Sequence, residues 1–537
     1  MKSVEKVKKR WELWFGEYSD IYRDDPLIKL LTDEFEENKD KIFQDISDKY
    51  DELDSSEKRN LILSIKIEED EIEKYLGDFD IFKEILRKES SKKFFTRKYD
   101  GKELESKGTG ICFSCNNKTQ VYGFASPFSI FTVDKKGFAP QFSQKDSWKQ
   151  LPICERCSIF LVAGKEFLDK YLSKRFYEYR CYIIPSFMYG NIEEEVIEDI
   201  KDAESKKSIK SLLSLEDDDI LDIIKDKNDL MSLIFVFYRP KGGDSFDIVN
   251  YIEDVPPSWI RSLFDKFSEV GEKNTFKEEY LKKIFGKKWS DDFIEGRING
   301  NDIWRYKIDF SSIIRDFFPD SPKETGVYNK YFIDIIGDIL AKRTINPNFL
   351  IHSFIREIRN KHTNNLGDAE KLYALKSLYL FSFIGTLDLI EGLEMNEKYE
   401  SYETGLEKLE EFFGDFEHAF NTPDKKAAFL EGVLVKFLLT VQFAREETTP
   451  FRSRLYGLKL DKNRIRKLLP EIIGKLREYK VGYSWLEELT SKYLLEAENT
   501  GWKLSKDEIS YYFALGLNLG GIFREKKENK GEGDKNE

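Results

Sequence analysis

Two C-x-x-C pairs, Cys112-Phe113-Ser114-Cys115 and Cys154-Glu155-Arg156-Cys157, constrain this chain more than any other feature. Two intervening residues turn the backbone so that both sulfurs of a pair face one point. Two such turns supply the four thiolates that a tetrahedral zinc accepts at about 2.3 Å. A reducing interior keeps thiols unpaired, which disfavours a disulfide framework. Two unrelated thiol pairs or a redox site are the competing readings, although a redox motif needs only one pair. Four thiolates fill the coordination shell, and His352, His362 and His418 are all distant in sequence. The expected cofactor is therefore a structural zinc on Cys112, Cys115, Cys154 and Cys157, with no open catalytic position. The fifth cysteine, Cys181, sits in a short apolar run at 180–185 and reads as a small buried residue of a strand.

The 38 residues between Cys115 and Cys154 are too many for a compact finger and predict a β-rich insertion, with strands at 120–124 and 129–133 and a turn at Gly137. Upstream, residues 1–60 read as acidic amphipathic helices, followed by a strand at 61–67 and a helix at 80–88. Downstream, a helix at 159–179 leads to the strand at 180–185. Alternating runs at 231–238 and 245–252 then flank Gly242-Gly243, a hairpin whose turn needs positive φ. Pro256-Pro257 stops the second strand, and Asp254 or Ser258 is expected to cap a helix at 259–270. From about residue 328 the apolar period becomes helical, at 331–341, 348–359, 369–391, 402–413, 427–445, 464–480, 484–498 and 506–523. The expected fold is α+β, a zinc-knuckle-bearing N-terminal part followed by an all-α bundle. Its divisions are 1–107, 108–160, 161–325 with the hairpin 231–252, 326–523, and a disordered tail at 524–537 that lacks apolar residues.

The most apolar run in this reading, 377–387, is far short of the ~20 residues a membrane span needs, and no secretory h-region follows residues 1–10. A cytoplasmic location with no membrane partner is expected. A net charge of −13 argues against a polyanion partner, but the charge is uneven. Residues 193–229 hold 14 acidic and 6 basic side chains, and residues 445–480 hold 11 basic and 5 acidic. Within the latter, Arg445, Arg452, Arg454, Lys459, Lys462, Arg464, Arg466 and Lys467 are interleaved with Phe451 and Tyr456. Cations for phosphates and rings for unstacked bases are what a single-strand track requires, although such a stretch also serves as a solvated bundle connection. At the hairpin tip, Arg239 and Lys241 beside two glycines fit either a duplex groove or a plain exposed turn.

The P-loop, H-E-x-x-H and G-x-S-x-G patterns are all missing from the sequence. The acidic run Glu216–Asp219 reads as a solvated loop rather than a magnesium site. Arg356, followed after five residues by His362, resembles the active-site pattern of HEPN ribonucleases, but Glu357 replaces the small polar residue those enzymes favour. A non-enzyme is expected, with a ribonuclease using Arg356 and His362 as the alternative.

A longer series of landmarks resembles a known family. The knuckles lie in Gly108-Thr109-Gly110-Ile111-Cys112 and Leu151-Pro152-Ile153-Cys154, followed by Ala163-Gly164-Lys165 and Ile183-Ile184-Pro185. After the hairpin comes Asp254-Val255-Pro256-Pro257-Ser258, and near the end Tyr511-Tyr512-Phe513-Ala514-Leu515-Gly516-Leu517. The series is similar to the Csh-type large subunit of type I-B CRISPR effector complexes (Cascade). That resemblance implies a non-catalytic antiviral subunit. It would bind the 5′ end of the guide RNA (crRNA), recognise a protospacer-adjacent motif (PAM) in duplex target DNA and aid R-loop formation. The implied partners are the Cascade backbone subunits, a recruited helicase–nuclease and a helical small subunit made from the same gene. Met395 is the expected internal start: Glu391-Gly392 is encoded by a purine-rich run, Leu393-Glu394 spaces it, and initiation there yields 143 residues.

Overall fold

The computed structural model describes residues 2–54, 57–59, 63–69, 71–99, 101–128, 137–176, 179–187, 231–241, 245–286, 310–319, 330–392, 402 and 406–524. Several expectations fall outside them: the strand at 129–133, the acidic run 193–229, Gly242-Gly243, Met395 and residues 525–537. The chain forms two compact units, Met1–Glu105 and Ser106–Glu537.

In the first unit, α1 (Lys2–Leu13) leads through short turns into α2 (Pro26–Glu52). Asp25 sets the start of α2: its carboxylate accepts from the Leu27 and Ile28 amides at 3.0 and 3.2 Å, and Pro26 takes the first helical position. Phe15, Phe35 and Phe43 form one small core. Phe82 and Ile85 of α3 (Asp80–Lys92) pack on Ile28 in another. Two hairpins complete the unit, β1 (Lys66–Glu69) with β2 (Ile72–Tyr75) and β3 (Thr96–Tyr99) with β4 (Lys102–Glu105). The strand expected at 61–67 is displaced. Residues 63–65 are irregular, and pairing begins with Lys66 opposite Tyr75, because the turn through Glu71 (φ 64°) fixes the register.

The second unit opens with a three-stranded sheet, β5 (Lys107–Ile111), β6 (Lys118–Tyr122) and β7 (Ile153–Cys154). Strand β6 starts two residues before its expected position. Helix α4 (Glu155–Phe167) begins inside the second knuckle and ends well short of the expected residue 179. After a π turn, β8 (Ser173–Phe176) pairs with β9 (Tyr179–Phe187), so a tertiary ladder overrides the local helical pattern. The strands β10 (Met231–Pro240) and β11 (Phe246–Val255) complete an antiparallel sheet of order β11-β10-β9-β8. Leu233 pairs with Val255 and Phe235 with Ile252, which leaves one extra residue on β11. Asp254 occupies that bulge at φ 58°. It therefore does not cap α5 (Pro257–Gly271), whose N-cap is Pro256, a residue with no side-chain acceptor.

Beyond α5 come α6 (Glu278–Phe285), α7 (Phe310–Phe317), α8 (Tyr331–Leu340), α9 (Pro347–Thr363), α10 (Gly367–Thr386) and α11 (Glu407–Asp415). The bundle closes with α12 (Pro423–Glu446), α13 (Lys462–Glu478), α14 (Ser484–Thr500) and α15 (Lys506–Leu519). The fold class is thus α+β, with sheets confined to the N-terminal part and an all-helical C-terminal region. One core runs unbroken from the sheet into the bundle. It passes from Cys181, Leu233 and Phe237 through Leu263 and Phe267 of α5 to Phe383 of α10 and Phe429 of α12. Trp259 and Asn250 tie sheet and helices further, donating to the Ile339 and Ile333 carbonyls at 3.0 and 3.2 Å. Helix α12 is long and apolar enough to cross a bilayer, but 78% of its most apolar window is buried within the protein. It meets α15 at Gly432 and Gly516, where a Cβ on either would overlap backbone atoms of the other helix.

Candidate metal centre and nucleic-acid interface

Short elements bring the four cysteines together. Cys112 follows β5, and its amide donates to the Asn117 carbonyl at 2.9 Å. Asn116, at φ 58°, returns an amide to the Cys112 carbonyl at 2.9 Å and so closes the first knuckle. Cys154 ends β7 opposite Val121 of β6, and Cys157 lies in the first turn of α4. The Phe113 amide donates to the Pro152 carbonyl at 2.7 Å, linking one knuckle to the approach of the other. The insertion is held by Trp148, whose ring occupies the space that a Cβ at Gly108 would need and packs over Gly110. Ser106 adds a second tie, giving a hydrogen bond to the Lys145 carbonyl and taking one from the Trp148 amide, each 3.0 Å.

All four sulfurs lie within 4.8 Å of one another, and Cys115 Sγ is 3.9 Å from Cys154 Sγ. A tetrahedron of 2.3 Å metal–sulfur bonds has edges of roughly 3.8 Å, so the set fits a four-coordinate metal ion and is compatible with zinc. Burial alone would raise the Cys112 thiol, but the backbone amides of Cys154, Cys115 and Ser114 bring it down to about 6. Burial pushes the Cys154 thiol up to about 12. Among the described residues this is the one His, Cys, Asp or Glu group whose ligand atoms cluster closely enough for a metal.

The eight cations of 445–467 do not share one environment. Arg464 holds Glu471 through two bonds of 2.9 and 3.0 Å, and its guanidinium lies 4.9 Å over the Tyr456 ring. Arg466 and Lys462 both reach Glu498, and Arg445 lies 5.7 Å over the Tyr479 ring. Arg452 turns inward to Glu370 at 3.0 Å. Arg454, Lys459 and Lys467 are exposed and make no ion pair among the described residues. Phe451 is buried, so it offers no ring to a base, whereas Tyr456 is exposed. At the hairpin tip, Lys241 pairs with Asp247 at 2.6 Å, and Arg239 lies 5.9 Å over the Tyr179 ring.

Arg356 and His362 are not brought together. Six residues apart on α9, they project about 120° apart around its axis and lie about 9 Å apart along it. Arg356 is half exposed and donates to the Phe317 carbonyl at 3.0 Å. His362 is buried, with Nδ1 2.9 Å from Glu370. Sequence reasoning missed this buried polar centre, which Asn518 completes by donating to Glu370 at 3.1 Å. Burial pushes Glu370 up, and His362, Arg452 and Asn518 together draw it below the usual carboxylate value. Also missed was Glu431 on α12, fully buried with neither carboxyl oxygen hydrogen-bonded among the described residues. Neither is legible in one dimension: the groups around Glu370 come from separate elements, and Glu431 is buried by the packing of other helices around α12.

Two models of one family match the chain: the central domain of CRISPR-associated protein TM1802 over residues 109–255, and its C-terminal domain over residues 308–531. Together they span more than half of the chain, which belongs to this family of CRISPR-associated proteins. The central match takes in both knuckles and runs to the end of β11, and the C-terminal match takes in the helical region from α7 through α15. No curated protein matches the chain.

Proposed function

We propose that the chain is the non-catalytic large subunit of a type I-B, Csh-type Cascade complex. In that role it binds the 5′ end of the guide RNA, recognises the PAM in duplex DNA, aids R-loop formation and recruits the helicase–nuclease. The observation that carries the reading is the pair of family matches, which join the cysteine centre and the helical region in one CRISPR-associated chain. The ion at the cysteine centre is zinc, and its role is structural, since four thiolates leave no site for a substrate. Arg454, Lys459 and Lys467 beside Tyr456 form the strand-binding edge of the bundle, and Arg239 and Lys241 remain candidates for duplex contact. The separation of Arg356 from His362 supports binding rather than hydrolysis. Backbone subunits and a small subunit begun at Met395 are the protein partners.

The test is affinity purification of the tagged chain expressed with its genomic neighbours. Co-purification of repeated backbone subunits and a short RNA of uniform 5′ sequence is expected. A chain that purifies alone and cleaves RNA would replace this reading with the ribonuclease. Arg356→Ala is the appropriate active-site variant, because Arg356 is half exposed whereas His362 sits in a buried ionic centre.

A further inference from the structure

The rings around the cysteine centre point outward. Ile111 and Phe113 flank Cys112, and Ile159 and Phe160 follow Cys157 within three residues. Phe113 is 72% exposed and Phe160 60%, and both isoleucines are exposed as well. Because the four sulfurs lie within 4.8 Å, the backbone that carries these side chains converges on one point. The charge around them is opposite to that of the chain. In the stretch that carries the knuckles, described residues from 106 to 160 include five basic and two acidic side chains, a net +3 in a protein of −13. Lys118 stands directly across the ladder from Ile111, on the same exposed face of the β5–β6 pair. The Arg156 guanidinium lies 5.5 Å from the centre of the Phe160 ring. An apolar surface for a protein partner would not require this excess of cations. Rings alternating with cations match an unpaired strand, whose bases stack and whose phosphates need charge. The knuckle backbone would fix the rings in place, so little order is lost when a base stacks.

We infer that this face binds single-stranded nucleic acid, with Phe113 and Phe160 stacking unpaired bases and Lys118 and Arg156 contacting phosphates. The site is separate from the strand-binding edge at Arg454, Lys459 and Lys467, and it gives the cysteine module a binding role besides a structural one. The test uses the full-length, metal-loaded protein and a short single-stranded oligonucleotide carrying 2-aminopurine. Binding should change the probe's fluorescence as the base stacks. Phe113→Ala with Phe160→Ala should weaken affinity by roughly tenfold or more per ring, and Trp at both positions should restore it. Lys118→Glu with Arg156→Glu changes no cysteine, and it should reduce the slope of log affinity against log salt by about 1.4. Bound zinc, measured in every variant, confirms that the module is intact. Unchanged affinity and salt slope would overturn the inference. So would variants that still bind the oligonucleotide but no longer co-purify with a protein, since the face would then be a protein interface. Glu at Arg454, Lys459 and Lys467 is assayed in parallel: loss only there overturns this site and leaves the bundle edge standing.

Discussion

Cys112 and Glu431 show what single residues decide. Cys112 is fully buried, with the Cys154 amide donating to its sulfur at 3.3 Å, so it is both ligand and packing element. Cys112→Ser should remove bound zinc, loosen the module around residues 106–160 and impair assembly with partner subunits. Metal analysis and amide exchange across the two knuckles read this directly, and native protein free of zinc would refute the assignment. Glu431 is a different case. Burial holds its carboxyl well above the ordinary value, and Arg464 opposes this only in part. The folded chain therefore keeps a proton that the unfolded chain releases above about pH 4.3. Stability contributed by this residue falls as pH rises from that value towards the folded pKa. Glu431→Gln removes the slope, so the variant should gain on the native chain with rising pH, by up to about 1.4 kcal/mol per unit. Denaturant midpoints between pH 4.5 and 8 test it, and a constant difference would contradict it.

At the scale of elements, α12 and α15 are held close by two glycines. A methyl at Gly516 would overlap the Phe429 carbonyl, which belongs to a helix backbone and cannot move aside. Gly516→Ala should therefore cost about 1–3 kcal/mol or more. Gly474 is the matching control: it lies on the exposed side of α13 with open space around it, and Ala there should stabilise by about 0.5–1 kcal/mol. Equal effects at the two sites would show that helical propensity, not close approach, governs the pair. The basic stretch teaches a related lesson. Its eight cations look alike in sequence, yet the acidic partners Glu370, Glu471 and Glu498 lie on three different helices and occupy four of them. Glu at Arg454, Lys459 and Lys467 should weaken DNA binding by the assembled complex and flatten its salt dependence. Reversal of Arg452 or Arg464 would disturb the bundle itself.

On the scale of the whole molecule, the C-terminal product expected from Met395 would inherit unmet contacts. Asp507 of α15 bonds Arg359 at 2.7 Å and His352 at 2.7 Å, both on α9, and Asn518 and Arg452 bond Glu370 on α10. A fragment of residues 395–537 lacks α9 and α10, so this face must find another partner or stay in water. The fragment is expected to occur bound within the complex rather than free. Met395→Leu should abolish it with little effect on the full-length chain. Mass spectrometry of the native complex decides, and absence of a fragment beginning at Met395 would refute the internal start.

Periodicity and spacing alone determined much of this protein. The helices after residue 328, the hairpin of β10 and β11 and the four-cysteine cluster all follow from local patterns, because a helix face, a strand alternation and a C-x-x-C turn are each built from neighbours in sequence. Tertiary structure decided the rest. It cut the helix after the second knuckle short to make β8, since β9, held in the sheet by the distant β10, pairs with the residues just before it as a hairpin. It moved Asp254 from a cap into a bulge, buried Phe451 and joined His362 to Glu370 and Arg452. Each of these depends on contacts between separate elements, from the 8 residues between His362 and Glu370 to the 90 between His362 and Arg452, and a linear pattern carries no record of which contact the folded chain will supply.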